Sequence, residues 1–104
     1  MSTYELVRDA IVNKRLISAS NNGYHRELCP HVLGTKNGRQ QGLFYQFAGE
    51  SSSGLEPDGS PNNWRCIPIK TMANVEAYDG TWHTSTNHSR LQTCVDEIDV
   101  EVEY

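Results

Sequence analysis

Arg26 is the residue of this 104-residue chain best placed to bind something. It lies in Tyr24-His25-Arg26-Glu27-Leu28. If that run is a strand, Arg26 shares a face with Tyr24 and Leu28, opposite His25 and Glu27. A guanidinium between apolar neighbours is out of place in a dry core. It belongs at a cleft, where its planar fork can grip a phosphate or a carboxylate. The competing reading is a surface pair with Glu27 or Glu50, which is worth little. Tyr45 shares a strand face with Leu43 and Phe47, while Phe44 and Gln46 face the other way. One set fills the core and the other is open for stacking, and an aromatic beside arginine suits single-stranded nucleic acid at about 1–3 kcal/mol per stacked base. The competing reading puts both aromatics in the core. His31 either donates to an anion or caps the turn at Pro30. Lys70 adds a weak surface charge.

Other chemistry finds less support. The three cysteines, Cys29, Cys66 and Cys94, are widely spaced and form no CxxC pair. His25-x3-Cys29-x-His31 is the densest Cys/His cluster, but its spacing suits no common zinc motif. Packing thiols and surface imidazoles are the expectation, with no metal and no cofactor. No catalytic signature such as GxSxG or HExxH occurs, and Gly49–Gly54 lacks the Lys-Ser/Thr end of a phosphate loop. The expectation is a protein that is not an enzyme.

These side chains need a scaffold, and the composition limits it. One domain over 1–104 is all the length allows. Net charge is −4, yet the last nine residues carry five acids and no base, leaving residues 1–95 at +1. A histone-like basic binder is excluded, while a local basic patch is not. No apolar run approaches the ~20 residues of a membrane helix, and the N-terminus lacks a signal-peptide layout, so a cytoplasmic protein away from membranes is expected.

Ser2-x-x-Glu5 reads as a capping box opening a helix over about 3–14, with Tyr4, Val7 and Ile11 on one face. Leu16–Ser20 follows as a strand. Asn22-Gly23, Asn37-Gly38 and Asp79-Gly80 each lie between strand-like runs and each predicts a hairpin turn. Pro30 marks a strand break or a bulge, and Pro68 makes the Trp64–Ile69 strand an edge or a bulged one. Residues 48–63 form a long Gly/Ser/Pro-rich loop, either a lid or a solvated insertion. Residues 84–90 read as another loop. In the acidic segment 91–104, Ile98, Val100, Val102 and Tyr104 alternate with acids as a half-buried strand, with a helix from Leu91 as the rival. The fold class is mainly β (α+β): an N-terminal helix followed by a small antiparallel SH3/Sm-like β-barrel over about 15–84, with an OB barrel as the neighbouring alternative.

From Leu6 to about Ala77 the order and spacing of the pieces resemble the WYL domain. A leading helix is followed by Lys14-Arg15-Leu16-Ile17, then Arg26 four residues before Pro30-His31-Val32-Leu33-Gly34. Next comes Leu43-Phe44-Tyr45-Gln46, where the family carries its Trp-Tyr-Leu, and finally Trp64-Arg65-Cys66-Ile67-Pro68-Ile69. Phe44 replaces the naming tryptophan, and Thr71 stands where many members carry a basic residue. The resemblance implies a stand-alone Sm/SH3-like module that senses a nucleotide or single-stranded nucleic acid and regulates bacterial transcription or defence. It also implies that Arg65 joins Arg26 in the ligand site, with His31, Tyr45 and Lys70 as the remaining candidates. The alternative is a protein-interaction module acting through an exposed strand edge or as a homodimer.

Overall fold

The computed structural model describes residues 2–50, 55, 63–83 and 94–102. It opens with helix α1, Thr3–Val12. The capping box forms: Ser2 Oγ accepts from the Glu5 amide at 3.1 Å, and Glu5 Oε1 accepts from the Ser2 amide at 3.2 Å. These bonds satisfy donors that the first helical turn leaves open. Val7, Ala10 and Ile11 form the buried face. The helix ends as Lys14 turns left-handed at φ 54°. The Lys14 amide bonds the Ile11 carbonyl at 3.2 Å and the Arg15 amide bonds the Ala10 carbonyl at 2.8 Å, so two terminal carbonyls are paired.

Six strands follow: β1 (Leu16–Asn21), β2 (Tyr24–Lys36), β3 (Arg39–Gly49), β4 (Trp64–Pro68), β5 (Met72–Tyr78) and β6 (Glu97–Glu101). A 3-10 turn at Ile69–Thr71 joins β4 to β5. All observed pairings are antiparallel, in the order β4-β3-β2-β1-β5, with β6 also on β2. Two of the expected hairpins form where Asn-Gly pairs allow two successive positive φ values: Asn22 and Gly23 at 53° and 81°, Asn37 and Gly38 at 52° and 80°.

Strand β2 organises the sheet. β3 runs along residues 26–36 on one side. On the other side β1 takes residues 24–28 and β6 takes residues 32–35. Pro30 does not break this strand. His31 is an extra residue between the Pro30–Phe44 and Val32–Leu43 pairs, so the bulge expected as one alternative is what forms. β4 is an edge strand, as its proline requires.

Several expectations change. Among the described residues β4 and β5 do not pair, so the sheet is open and not a closed barrel of SH3, Sm or OB type. Asp79-Gly80 makes no hairpin, because residues 79–83 form no strand. Gly80 meets a packing demand instead: a Cβ there would come within 2.6 Å of Leu16 Cδ1. The C-terminal strand forms as β6, and Asp99 on it, though exposed, contacts the helix. Its Oδ2 accepts from Tyr4 Oη at 2.7 Å and from Arg8 Nε at 3.3 Å, tying β6 to α1. The cysteines are not three packing thiols. Cys66 and Cys94 form a disulfide, with Cα atoms 5.7 Å apart, and Cys29 is a buried thiol outside it, its Sγ accepting from the His83 amide at 3.3 Å. The expected lid at 48–63 lies largely outside the described residues, as do the 84–90 loop, residues 91–93 and Tyr104.

Alternation divides the sheet into two faces. Under α1 lie Ile17, Ala19, Leu28, Phe44, Ile67 and Met72, packed on Val7, Ala10 and Ile11. The other face carries Leu16, Cys29 and Tyr45, with Phe47, Trp64, Tyr78 and Trp82 against them. Beside these lie Val32, Leu43, Cys94 and Val95. A buried side chain the size of Phe44 is worth about 3–5 kcal/mol against alanine.

Candidate functional site

Arg26 lies on the α1 side of the sheet, since its cross-strand partner is Ala19 and it is two residues from Leu28. It is only 6% exposed. Its Nη1 donates to Gln46 Oε1 at 2.8 Å, and its guanidinium lies 5.8 Å from the centre of the Tyr24 ring. Its Nε is buried and meets no acceptor among the described residues. Among the described residues no carboxylate forms an ion pair with it.

Gln46 is the residue that sequence reasoning missed. It is fully buried, and its Nε2 donates to the carbonyls of Ala48 at 3.1 Å and Glu50 at 2.9 Å. With both amide protons committed, Oε1 is forced toward Arg26. The signal in the sequence was its place two residues from Phe44, on the face opposite Tyr45.

Arg65 reaches the same side from β4. It pairs with Phe44, and Ile67 two residues on is in the core under α1. Trp64 faces the other way, and Arg65 Nη1 donates to the Trp64 carbonyl at 3.2 Å. Burial lowers the pKa of both arginines. Repulsion from Arg26 lowers that of Arg65 further, so the two charges feel each other. Arginine stays protonated through such shifts, so two like charges remain on one side of the sheet.

The other candidates lie elsewhere. Tyr45 is fully buried on the far face, its ring 5.2 Å from that of Trp64. His31 is also fully buried, between Trp64 at 4.7 Å and Trp82 at 5.1 Å, and its Nδ1 shares a hydrogen bond with the Cys29 carbonyl at 2.8 Å. Lys70 is exposed on the 3-10 turn, lining an open groove of about 460 Å³ with Ser2, Thr3, Tyr4, Gln40, Ile69 and Met72. The structure thus puts Arg26 and Arg65 on the same side of the sheet, while Tyr45 and His31 pack against Trp64 and Lys70 stands on the exposed 3-10 turn. The aromatic beside Arg26 is Tyr24. No group of three or more potential metal ligands occurs among the described residues, and no helix there is long and apolar enough to cross a membrane. Comparison with family models, with curated proteins and with solved structures finds no match to this chain.

Proposed function

We propose that this protein is a non-catalytic binding module for a phosphate-bearing ligand, a nucleotide or single-stranded nucleic acid, held by Arg26 and Arg65. The observation that carries the reading is the Arg26 guanidinium, almost wholly buried, fixed by Gln46, and left with an Nε donor unused among the described residues. A buried donor without an acceptor costs about 1–3 kcal/mol, and a phosphate oxygen would supply the acceptor and the countercharge together. Tyr24, beside the guanidinium, is the ring on which a base would stack. The resemblance to the WYL domain adds the biological setting: a cytoplasmic ligand sensor in bacterial transcription or defence.

Fluorescence anisotropy with short labelled DNA and RNA single strands, at two ionic strengths, tests this. Binding should weaken as salt rises, because neutralised phosphates release counterions. Arg26→Ala should bind at least tenfold more weakly. No binding by the wild type at low salt, or equal binding by Arg26→Ala, rejects the reading.

A second reading, self-association through a strand edge, draws on β6. Among the described residues β6 pairs only with β2, and Ile98 on it is 50% exposed. An apolar residue beside an open edge suits strand addition by a second copy. Sedimentation over a hundredfold concentration range decides: a monomer throughout rules out the homodimer.

A further inference from the structure

We propose that the Cys66–Cys94 disulfide is an exchange site for a low-molecular-weight thiol, and that opening it weakens the anion site by freeing the strand that carries Arg65. The coupling half rests on the proposed function; the exchange half does not.

The disulfide is lopsided. Cys66 is exposed on edge strand β4, whereas Cys94 is only 6% exposed. An incoming thiolate therefore meets Cys66 Sγ, and Cys94 is the leaving group. The leaving sulfur is provided for by Gln41, which is 3% exposed. Its Nε2 lies 3.5 Å from Cys66 Sγ and 3.8 Å from Cys94 Sγ, and it donates to the Cys94 carbonyl. Its Oε1 accepts from Arg39 Nε at 2.9 Å, which turns the NH2 group toward the sulfurs. A donor within reach of both sulfurs eases departure of the Cys94 thiolate, and the Gly42 carbonyl, 3.2 Å from Cys94 Sγ, accepts from the thiol once it is protonated.

The electrons balance with thiols alone. A thiolate RS⁻ bonds to Cys66 Sγ as the S–S bond breaks, giving a Cys66–S–SR mixed disulfide and a Cys94 thiolate. A second thiolate attacks the R-group sulfur and releases Cys66 as its thiolate. Both protein thiolates take protons from solvent, and the two thiols leave oxidised as RSSR.

The crosslink also holds the site together. Cys66 follows Arg65 directly, and among the described residues β4 pairs only with β3. From Cys94 the chain runs to Val95, buried against Val32 and Leu43, and Asp96 then bonds the Thr35 carbonyl at 2.9 Å. The disulfide thus ties the Arg65 strand to a segment anchored on β2, the strand that carries Arg26. Once opened, β4 keeps its pairing with β3 and the packing of Trp64 and Ile67, but loses its covalent tie to the segment anchored on β2.

Native wild-type protein treated with graded reduced glutathione, acid-quenched and mapped by mass spectrometry should carry the adduct on Cys66. Anisotropy on the opened protein and on Cys94→Ser should show single-strand affinity several-fold below that of the oxidised protein, with unchanged far-UV circular dichroism. A disulfide that resists glutathione until denaturant is added, or an adduct on Cys94, overturns the exchange site. Equal affinity in the oxidised and opened wild type overturns the coupling, whether or not Cys94→Ser folds. If the oxidised protein binds no oligonucleotide, the proposed function and the coupling fall together, and the adduct map still decides the exchange.

Discussion

The Nη1 of Arg26 donates to the Oε1 of Gln46 across 2.8 Å, joining β2 and β3, the two longest strands of the sheet, through a buried charge and a buried amide. Neither group is placed by local sequence alone. Gln46 is oriented by the carbonyls of Ala48 and Glu50, where β3 ends. Glu50 is in turn fixed by its own amide on the His25 carbonyl at 2.7 Å, one residue from Arg26. Gly49 is required at this closure. It has φ 96°, and a Cβ there would lie 2.4 Å from the His25 carbonyl oxygen.

Gln46→Leu tests this arrangement. It leaves Arg26 without its acceptor and two carbonyls without their donor, at about 1–3 kcal/mol for each buried group that water cannot reach. Urea unfolding should show a loss of at least about 1 kcal/mol. Single-strand affinity should fall as well, since the guanidinium is no longer aimed. Unchanged stability would show that the bond to Gln46 holds nothing in place.

Arg26→Met separates the cost of the site from its use. A buried cation with one hydrogen-bond acceptor pays for its desolvation poorly, and an apolar residue of similar length often holds such a place as well or better. The variant removes the cost of desolvating the cation but leaves Gln46 Oε1 without its donor, so it should unfold within about 1 kcal/mol of wild type while losing oligonucleotide binding. A variant that unfolds markedly earlier would mean that Arg26 serves the fold and not a ligand.

Local features were legible in the sequence and long-range ones were not. The capping box and the two Asn-Gly hairpins need only near neighbours, and they formed as read. Asp79-Gly80 carried the same turn chemistry, but Gly80 answers to Leu16, sixty-four positions away in the chain. The strand alternation of Phe44 and Tyr45 was correct. Which set faced the core depended on where α1 packed, and the far face is itself lined with aromatics, so Tyr45 is buried there. The bulge at His31 turned its ring between two tryptophans, which no spacing rule would supply. The Cys66–Cys94 pairing required the segment before β6 to reach the edge strand, a crossing that only the assembled sheet reveals.

Lys14→Gly should stabilise the protein. Lys14 holds φ 54° at the end of α1, a conformation costing about 1–2 kcal/mol for a residue with a Cβ and little for glycine. Two terms oppose the gain: glycine's greater freedom in the unfolded chain, and the lost position of the Lys14 ammonium, 5.7 Å from the centre of the Trp82 ring. The net effect should be a gain below about 1 kcal/mol, or a rise in Tm of a few degrees for a domain of this size. A fall in Tm would show that the contact with Trp82 outweighs the backbone.

The contact of Tyr4 with Asp99 makes stability depend on pH in the alkaline range. Burial first, and then the hydrogen bond and the charge of Asp99, push the Tyr4 pKa from 10.0 up to about 12. The fold therefore favours the neutral phenol. Below pH 10 both the folded and the unfolded chain keep the proton, and the contribution is present in full. From pH 10 to 12 the unfolded chain has released its proton while the folded chain still holds it, so stability falls as pH rises and the contribution is gone above the folded value. Tyr78, also raised by burial and by its bond to Glu27, adds to the same slope. Tyr4→Phe should be less stable than wild type at pH 9, where the bond to Asp99 is lost. It should also lose less Tm than wild type between pH 9 and 11, because one of the two coupled phenols is gone. Equal losses in the two proteins would place the alkaline sensitivity elsewhere and remove Tyr4 as the link between α1 and β6.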